Sequence, residues 1–592
     1  MKKVSTLILF LFTTHLLVAQ TFSTLWQKAL GGTKSDDAYS VQKTSDGGYI
    51  VAGEAYSIDG DVSGNHGRSD CWVVKMNSSG SVEWKKTLGG SLDEGYYARI
   101  IQTTDGGYCL VTKTSSTNGD IVSGHHGGED CWVVKLSNMG NIQWQKPLGG
   151  TSSEAGFSLV QTSDAGYIIV GGTYSNDGDV SGNHGSSDCW AVKLNSLGDI
   201  QWQKALGGTG EDGGSEIIQT SDGGYIVAGG TKSNDGNVSG NHGNYDAWII
   251  KLTSIGVIQW QKTLGGSNSE YVSSIKQTLD GGYIIAGYSN SNDGDVNGNH
   301  GDYDTWIVKI NSSGEIQWQK SLGGSGEDAA ESIVQTADGG YIVAGYSESN
   351  DGDVSGNHGS TDFWVVKLNN IGTIEWQKAL GGTGYDYARF IIQVGSGYVI
   401  AGTTNSNDGD ASGNHGAFDF WVVNLSVRNF TVSPNYPCQD KYVRLTAEGC
   451  IGFVRWYAYP EGTAPTYIAI GPSYDYLVSN TLPLSTAIFF KCECTTGNGM
   501  LLYELGSPKF VRVLGASSYN FVSPADDFSS TPPYPLNVTN SITAANKILV
   551  PTPPIPLVTT RVEYRAEKGI LLKPGFRADK GTVFTAQIGG CQ

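Results

Sequence analysis

The sequence predicts an all-β protein centred on a seven-bladed β-propeller, and three observations carry this prediction. One tyrosine recurs seven times at intervals of 57 to 59 residues, which defines a repeat. Every copy of the repeat contains four strand-like runs. The last copy lacks its fourth run, and a matching run stands near the amino terminus. The recurring tyrosines are Tyr49, Tyr108, Tyr167, Tyr225, Tyr283, Tyr341 and Tyr398.

Each copy has the pattern of four antiparallel strands. In the fourth copy we expect strands at residues 215–220, 225–229, 247–252 and 257–264. Branched and aromatic residues enrich these runs, and Asp-Gly or Gly-ended turns separate them. No segment has a sustained helical period. Seven units of this kind are typical of a seven-bladed β-propeller.

The ends of the repeat region predict how the ring closes. The seventh copy stops after its third strand, at residues 421–425, and the orphan fourth strand stands at residues 24–30. We expect the N-terminal strand to complete the last blade, because this leaves no free sheet edge.

The start of the chain predicts its location. Residues 1–20 combine a basic start, a short apolar core and a small residue near the end, which predicts a signal peptide cleaved near residues 19–20. No later stretch reaches the roughly 18–20 apolar residues that a transmembrane segment needs. We therefore expect a secreted protein, extracellular or on the cell surface, without a transmembrane segment.

Composition predicts three parts after the signal peptide. Residues 21–426 form the propeller. Residues 427–515 carry short alternating strands and a tryptophan between cysteines, which predicts an Ig-like β-sandwich. Residues 516–592 combine a proline-rich linker with a small β module. Disulfides fit this C-terminal part, but their pairing stays open among Cys438, Cys450, Cys492, Cys494 and Cys591.

The charge limits the classes of partner. Acidic residues outnumber basic ones 57 to 38, and the net charge is −19. Nucleic acid is disfavoured because binding a polyanion needs clustered Lys and Arg. Divalent cations and neutral partners such as carbohydrates or proteins fit better.

One loop recurs between the second and third strands of every copy, in the form SNDGDVSGNHGSSDCW in the third copy. Antiparallel alternation places these loops and the blade-to-blade connections on one acidic face. Carboxylate and amide oxygens are the ligands that Ca²⁺ prefers, so the loops are candidate calcium sites. The candidate ligands in three loops are Asp177, Asp179, Asn183 and Asp188, then Asp293, Asp295, Asn299 and Asp304, then Asp351, Asp353, Asn357 and Asp362, with equivalent loops in the other blades.

A second interpretation of the loop needs no metal. Asn and Asp close tight turns, Gly supplies positive φ, and each His lies four residues before the last Asp, where it can bond within its own loop. One His per blade makes a zinc site unfavourable, since Zn–N bonds are about 2 Å long. Calcium and the metal-free loop both stay open.

Enzyme motifs find little support. No G-x-S-x-G elbow, H-E-x-x-H zinc motif or nucleotide-binding glycine loop stands in a suitable context. Carboxylate pairs such as Glu211 and Asp212 recur around the ring, whereas one active site breaks repeat symmetry. We expect no enzymatic activity, no catalytic residue and no organic cofactor. The repeated tryptophans, and Cys71, Cys131 and Cys189 at one repeat position, are predicted to be core residues.

Three sequence units carry a family resemblance: D-G-G-Y-I-V-A-G, the loop S-N-D-G-D-V-S-G-N-H-G-x-x-D-x-W and I-x-W-Q-K-x-L-G-G. They resemble the units of secreted β-propeller repeat proteins of Bacteroidota-type bacteria over residues 21–426. Residues 541–591, with the run 572–576 and Cys591, resemble the three-coathanger-stack module of such proteins. The resemblance implies a secreted propeller and no defined activity.

The favoured functional hypothesis is a secreted, non-catalytic binding or adhesion scaffold. Its acidic propeller face would recognise a carbohydrate or a protein, with calcium as a candidate stabilising ion. A polysaccharide-active enzyme with one asymmetric pocket on that face or in the axial channel is the alternative. A purely structural spacer of the cell envelope is the third hypothesis, and the fold class does not decide among the three.

Overall fold

The computed structural model describes the backbone of residues 21–121 and 123–428 and of fourteen short strands between residues 430 and 588. Side chains are described for residues 23–121 and 123–426. The described residues contain no helix, and hence no helix of the length and apolarity that crossing a membrane needs. The predicted signal peptide, residues 1–20, lies outside the described residues.

The repeat region forms seven four-stranded antiparallel sheets, which are the predicted blades. Blade 1 comprises β2 (Asp36–Lys43), β3 (Tyr49–Ala55), β4 (Asp70–Met76) and β5 (Val82–Leu88), and blade 2 comprises β6 (Arg99–Gln102), β7 (Tyr108–Thr114), β8 (Asp130–Leu136) and β9 (Ile142–Leu148). Blade 3 comprises β10 (Glu154–Gln161), β11 (Tyr167–Thr173), β12 (Asp188–Leu194) and β13 (Ile200–Leu206), and blade 4 comprises β14 (Asp212–Gln219), β15 (Tyr225–Thr231), β16 (Asp246–Leu252) and β17 (Ile258–Leu264).

The remaining three blades repeat this order of strands. Blade 5 comprises β18 (Glu270–Gln277), β19 (Tyr283–Ser289), β20 (Asp304–Ile310) and β21 (Ile316–Leu322), and blade 6 comprises β22 (Asp328–Gln335), β23 (Tyr341–Ser347), β24 (Asp362–Leu368) and β25 (Ile374–Leu380). Blade 7 comprises β26 (Asp386–Val394), β27 (Gly397–Thr404), β28 (Asp419–Arg428) and the N-terminal β1 (Thr21–Leu30).

The fourth copy shows how close the predicted strands are. The first strand begins at Asp212, three residues earlier than predicted, because Asp212 pairs with Thr231 at the end of the ladder. The other three strands agree with the prediction to within two residues at each end.

The ring closes as predicted. β1 pairs with β28, and the Gln27 side chain accepts a hydrogen bond from the indole N–H of Trp421 at 2.8 Å. Blade 3 makes the same bond without a chain break, from Trp190 to Gln203 at 3.0 Å. The first strands of neighbouring blades contact one another in an unbroken ring that includes β2 and β26. Those strands therefore surround the axis.

The core lies between blades. The third-strand tryptophans, such as Trp132, are at most 2% exposed and pack against the sheet of the preceding blade, as Trp132 does against Val73. Fourth-strand tryptophans are partly buried, and Trp84 packs against Tyr108 with ring centroids 5.8 Å apart. Cys71, Cys131 and Cys189 are buried and unbridged, as the core prediction requires. Each blade is thus held by its neighbours.

In the C-terminal region, all the described residues lie in strands. They are β29 (Phe430–Ser433), β30 (Tyr442–Ala447), β31 (Phe453–Pro460), β32 (Thr466–Ile470), β33 (Ser473–Leu477), β34 (Ala487–Thr495), β35 (Leu501–Glu504), β36 (Lys509–Arg512), β37 (Ser518–Asn520), β38 (Pro535–Val538), β39 (Ser541–Thr543), β40 (Thr560–Ala566), β41 (Ile570–Leu571) and β42 (Thr582–Ile588).

These strands form four sheets. Two are antiparallel, β29-β30-β33 and β32-β31-β34-β35 with β36 beside β34, and two are parallel ladders, β37-β39-β41 and β38-β40-β42. The connecting segments, the cysteine side chains and most of the proline-rich linker lie outside the described residues. The Ig-like sandwich, the coathanger-stack module and the disulfides therefore stay predictions.

Candidate functional site

The repeated loop is held by hydrogen bonds within its own face of the ring. Asp177 Oδ1 accepts the backbone N–H of Thr151 at 2.8 Å, and its Oδ2 accepts the Thr151 hydroxyl at 2.9 Å. Asp179 Oδ2 accepts the N–H of Gly149 at 3.3 Å. Thr151 and Gly149 belong to the connection from blade 2 to blade 3. The long loops and the blade-to-blade connections therefore meet on one face, as antiparallel alternation predicts.

The other two candidate calcium ligands of this loop, Asn183 and Asp188, make different hydrogen bonds within the loop. Asn183 Oδ1 accepts the N–H of Gly185 at 2.9 Å, and its Nδ2 donates to the Thr173 carbonyl at 3.2 Å. Asp188 Oδ2 accepts the backbone N–H of His184 at 3.2 Å and lies 2.6 Å from His184 Nδ1. The histidine thus bonds within its own loop.

The loops of blades 5 and 6 have the same arrangement. Their first two acids accept backbone N–H groups of the preceding blade-to-blade connection. Each asparagine accepts the N–H of the glycine two residues later, and each last acid bonds to the loop histidine. The pairs are Asp293–Ser267, Asp295–Gly265, Asn299–Gly301 and Asp304–His300 in blade 5, and Asp351–Ser325, Asp353–Gly323, Asn357–Gly359 and Asp362–His358 in blade 6.

These contacts match the metal-free interpretation of the loop. The four candidate ligands occupy separate hydrogen bonds, and across residues 23–121 and 123–426 no three His, Cys, Asp or Glu side chains gather closely enough to hold a metal ion. Calcium binding stays a prediction that a direct measurement must decide.

A buried carboxylate pair stands at every blade junction. Asp188 Oδ1 and Asp212 Oδ2 both lie 2.6 Å from the point where a side chain on Gly207 would begin, so the two oxygens are within about 5 Å of each other. Only glycine fits there. The same arrangement recurs in the pairs Asp70–Glu94, Asp130–Glu154, Asp188–Asp212, Asp246–Glu270, Asp304–Asp328, Asp362–Asp386 and Asp419–Asp36.

In all seven pairs the third-strand aspartate is fully buried and its Oδ1 has no hydrogen-bond partner among the described residues. Burial raises the pKa of Asp70 to about 6, against the lowering effect of its bond to His66. Burial likewise raises the pKa of Asp36 to about 6. These junctions are therefore sites of unfavourable buried charge at neutral pH.

A ring of β-bulges surrounds the axis. In six blades the first strand skips one residue in its pairing with the second strand, and a bulge of this kind redirects the side chain of the skipped residue. The neighbours of the skipped residue on either side stay in the ladder. The skipped residues, which we call the bulge ring, are Tyr39, Phe157, Ser215, Ser273, Glu331 and Arg389.

Blade 2 departs from this pattern. Its first strand is only four residues long, beginning at Arg99, and Tyr97 just before it has a φ of 55°. A bulky residue with positive φ is uncommon and marks a locally constrained backbone. The Tyr97 ring lies 5.2 Å from that of Tyr39 and 5.7 Å from that of Phe157, between centroids. Tyr97 of blade 2 thus packs beside two residues of the bulge ring without belonging to it.

The bulge ring encloses a cavity of about 330 Å³ on the axis. All six of its residues line the cavity, and so do Tyr97 and Arg99 of blade 2 and Tyr245, Tyr271 and Tyr288 from blades 4 and 5. Every blade contributes from its innermost strand or the segment leading into it. The volume lies at the lower end of the range of about 300–1,000 Å³ that is typical of small-molecule sites.

Ion pairs cross between blades around this axial cavity. Arg389 of blade 7 donates to Glu331 of blade 6 at 2.6 Å. Beside the cavity, Lys276 of blade 5 lies 2.5 Å from Glu216 of blade 4, and the same carboxylate accepts the backbone N–H of Ile275 at 2.6 Å. Burial of Glu216 is outweighed by Lys276 and Arg99, which hold its pKa below the usual range.

The sequence interpretation placed the working surface on the repeated loops and did not select the bulge ring. A usable signal was present in the residues that vary among copies. One repeat position holds Tyr, Phe, Ser, Glu or Arg in different copies, while the strand pattern around it is the same in each copy. Blade 2 also has one extra residue, since Glu94 precedes Tyr108 by 14 positions while Asp212 precedes Tyr225 by 13.

Comparisons with known proteins give partial likenesses in sequence. No protein-family model matches the chain. It is 23% identical over 265 residues to the regulatory protein FlaEY of Caulobacter vibrioides, covering 41% of this chain and 26% of that protein. It is 26% identical over 189 residues to an uncharacterized protein of Aquifex aeolicus, covering 31% of this chain and 45% of that protein. The chain spans less than half the length of these relatives.

Solved structures give only distant likenesses. A puromycin hydrolase is 12% identical with a TM-score of 0.39, over 64% of this chain and 52% of that one. A fungal alcohol oxidase of the AA5 family, in complex with copper, is 10% identical with a TM-score of 0.37, over 84% of this chain and 100% of that one. Likenesses at this level carry no argument about activity. The strand order and the closed ring make the protein a seven-bladed β-propeller.

Proposed function

We propose that the protein is a secreted, non-catalytic binding scaffold whose axial cavity takes a carbohydrate. The observation that carries the proposal is the bulge ring, in which a common backbone device presents a different side chain from each of six blades to one cavity. A repeat that is otherwise near uniform is varied where a ligand would be recognised. This is what a binding site with one specificity needs.

The aromatic lining favours a sugar. Tyr39, Tyr97 and Phe157 form a continuous aromatic cluster on one side of the cavity, and Tyr271 stacks on Tyr288 with centroids 5.0 Å apart on another. Aromatic faces and polar tips suit the alternation of C–H faces and hydroxyls on a sugar ring. The closed ring of strands gives a concave site, which fits a small ligand better than a flat protein surface.

The carboxylates at the cavity support a non-catalytic role. A glycosidase needs one carboxyl group with a raised pKa to act as general acid beside a second one that stays ionised. Here Glu331 is paired with Arg389 and Glu216 with Lys276, and the pKa of Glu216 is lowered. The Glu216 carboxyl is thus held in its ionised form. The polysaccharide-active enzyme stays the alternative, to be tested by product analysis.

A blocking variant tests the proposal. Ser215→Tyr places an aromatic side chain at a bulge position where Tyr39 and Phe157 already stand, so the fold accepts it while the cavity fills. Ser312→Tyr, on an exposed turn, is the matched control. We expect wild type and the control to bind a set of mono- and disaccharides on a glycan array and by titration calorimetry, and Ser215→Tyr to lose binding at least tenfold.

Three outcomes would contradict the proposal. Equal binding by wild type and Ser215→Tyr would place the ligand elsewhere on the protein. Absence of any sugar binding by wild type would leave the envelope spacer as the better hypothesis. Release of shortened products from an incubated oligosaccharide would favour the enzyme.

A further inference from the structure

The axial cavity is positively charged in a protein that is strongly acidic overall. Three ionised side chains line it directly, Arg99, Arg389 and Glu331, and their sum is one positive charge. Next to the lining, Glu216 and Lys276 form a neutral pair, and burial raises the pKa of Asp37, which interacts electrostatically with Arg389. The whole chain carries a net charge of −19. A cationic lining that persists against this background indicates a ligand with negative charge.

Among the described residues, Arg99 is the cation of the cavity lining that makes no salt bridge. Its guanidinium carbon lies 4.5 Å above the centroid of the Phe390 ring, which holds the group flat by a cation–π contact. Among the described side chains, no carboxylate lies within 4.0 Å of it. The nearest acids acting on it are Glu216 and Glu331, and each already has a cation of its own.

A stacked guanidinium with free N–H groups has a well-defined chemical preference. Its planar fork matches a carboxylate, with two parallel N–H···O bonds, more closely than a lysine ammonium does. The constrained Tyr97 stands two residues before it, in the aromatic cluster with Tyr39 and Phe157. The same cavity is therefore lined by both an aromatic surface and an anion-binding fork.

We propose that the ligand of the axial cavity is an acidic sugar, whose ring packs on the Tyr39–Tyr97–Phe157 cluster and whose carboxylate binds Arg99. This rests on the proposed function and names the ligand class for the same site. Arg389 stays paired with Glu331, so it does not bind the carboxylate of the sugar. The binding is reversible and involves no covalent step.

The test uses digalacturonate and its dimethyl ester, which differ in charge and little in shape. Titration calorimetry on the full chain measures both, in wild type, Arg99→Gln, Arg99→Lys and the control Arg68→Gln, which removes an exposed arginine on an outer loop paired with Asp93. We expect wild type and Arg68→Gln to prefer the acid at least tenfold. Arg99→Gln should bind acid and ester alike, and Arg99→Lys should retain a reduced preference, because charge stays while the fork is lost.

The outcomes separate the two proposals. Equal affinity of wild type for acid and ester, with both lost in Ser215→Tyr, would overturn the acidic-sugar inference and leave the carbohydrate site standing. No binding of either sugar, while other glycans bind and Ser215→Tyr abolishes them, would overturn the inference alone. Citrate binding as tightly as digalacturonate would reduce the site to charge recognition and contradict a sugar ligand. If Arg99→Gln fails to fold, a full tenfold preference in Arg99→Lys contradicts the inference.

Discussion

Asp70→Asn tests whether the buried carboxylates at the blade junctions oppose folding at neutral pH. Asp70 Oδ2 makes both of the hydrogen bonds of this side chain, to His66, and Oδ1 faces Glu94 without a partner. Asparagine can keep its oxygen at the position of Oδ2 and place an N–H₂ donor opposite Glu94. The variant therefore copies the protonated acid in shape and charge.

The magnitude follows from the pKa of Asp70. Burial raises it to about 6, some two units above the ordinary value of about 3.9. At about 1.4 kcal/mol per unit, the ionised group opposes folding by about 3 kcal/mol once the pH exceeds 7. This pKa already includes the favourable bond to His66. We therefore expect Asp70→Asn to stabilise the fold by about 3 kcal/mol at pH 7.5.

The stabilisation by Asn weakens at low pH. A raised pKa means that the folded state binds the proton more tightly, so the stability of wild type is fully present below pH 4 and is lost as the pH rises through 6. At pH 4.5 wild-type Asp70 is protonated in the folded state, and the advantage of Asn falls to about 1 kcal/mol. The difference between variant and wild type should therefore change by about 2 kcal/mol between pH 4.5 and 7.5.

Urea unfolding in EDTA, followed by tryptophan fluorescence, measures this change, since fourteen of the fifteen tryptophans lie in the repeats. The reasoning is refuted if Asp70→Asn is destabilising at pH 7.5, or if the difference between the proteins does not vary with pH. A loss of stability in Asp70→Asn that appears only with added calcium would mean that a cation compensates the carboxylate pair.

Two further predictions concern calcium and ring closure. If the repeated loops bind calcium, 1 mM calcium should raise the melting temperature of wild type over its value in EGTA. If the hydrogen bonds of Asp177 and Asp188 hold the loops without metal, the melting temperature should be the same in calcium and in EGTA. Gln27→Ala and Gln203→Ala should each cost about 1–2 kcal/mol, because each leaves one indole N–H without its acceptor. Limited proteolysis should cut Gln27→Ala faster than Gln203→Ala, since no hairpin joins β1 to β28 and β1 is held to its blade by strand pairing and side-chain packing; equal cleavage would contradict ring closure by β1.

The fold was largely predictable because it depends on what repeats. Residues 24–30 matched the missing strand of the seventh copy, and the structure pairs that strand with β28. The third-strand tryptophans recur at intervals of 57 to 60 residues, and they are core residues. In both cases periodicity and burial point to the same arrangement, so a single sequence suffices.

The proposed binding site was less predictable because it depends on residues that vary among the copies. Arg389 and Glu331 are 58 residues apart and meet only when adjacent blades are packed. Ser215 looks like an ordinary strand residue, and only the bulge turns it towards the axis. A bulge changes the side-chain direction of one residue without changing the composition around it, so pattern analysis does not detect it. The loop acids stood out by repetition, and they make hydrogen bonds within their own face of the ring, while calcium binding by them stays a prediction.

Hydrogen–deuterium exchange of the full chain with and without digalacturonate tests most directly where the working surface lies. Binding in the axial cavity predicts slower exchange in peptides covering the first strands, above all residues 94–102 and 386–394, while the loop at residues 175–188 stays unchanged. Protection confined to the loops, with the first strands unaffected, would contradict the account and return the ligand to the acidic face.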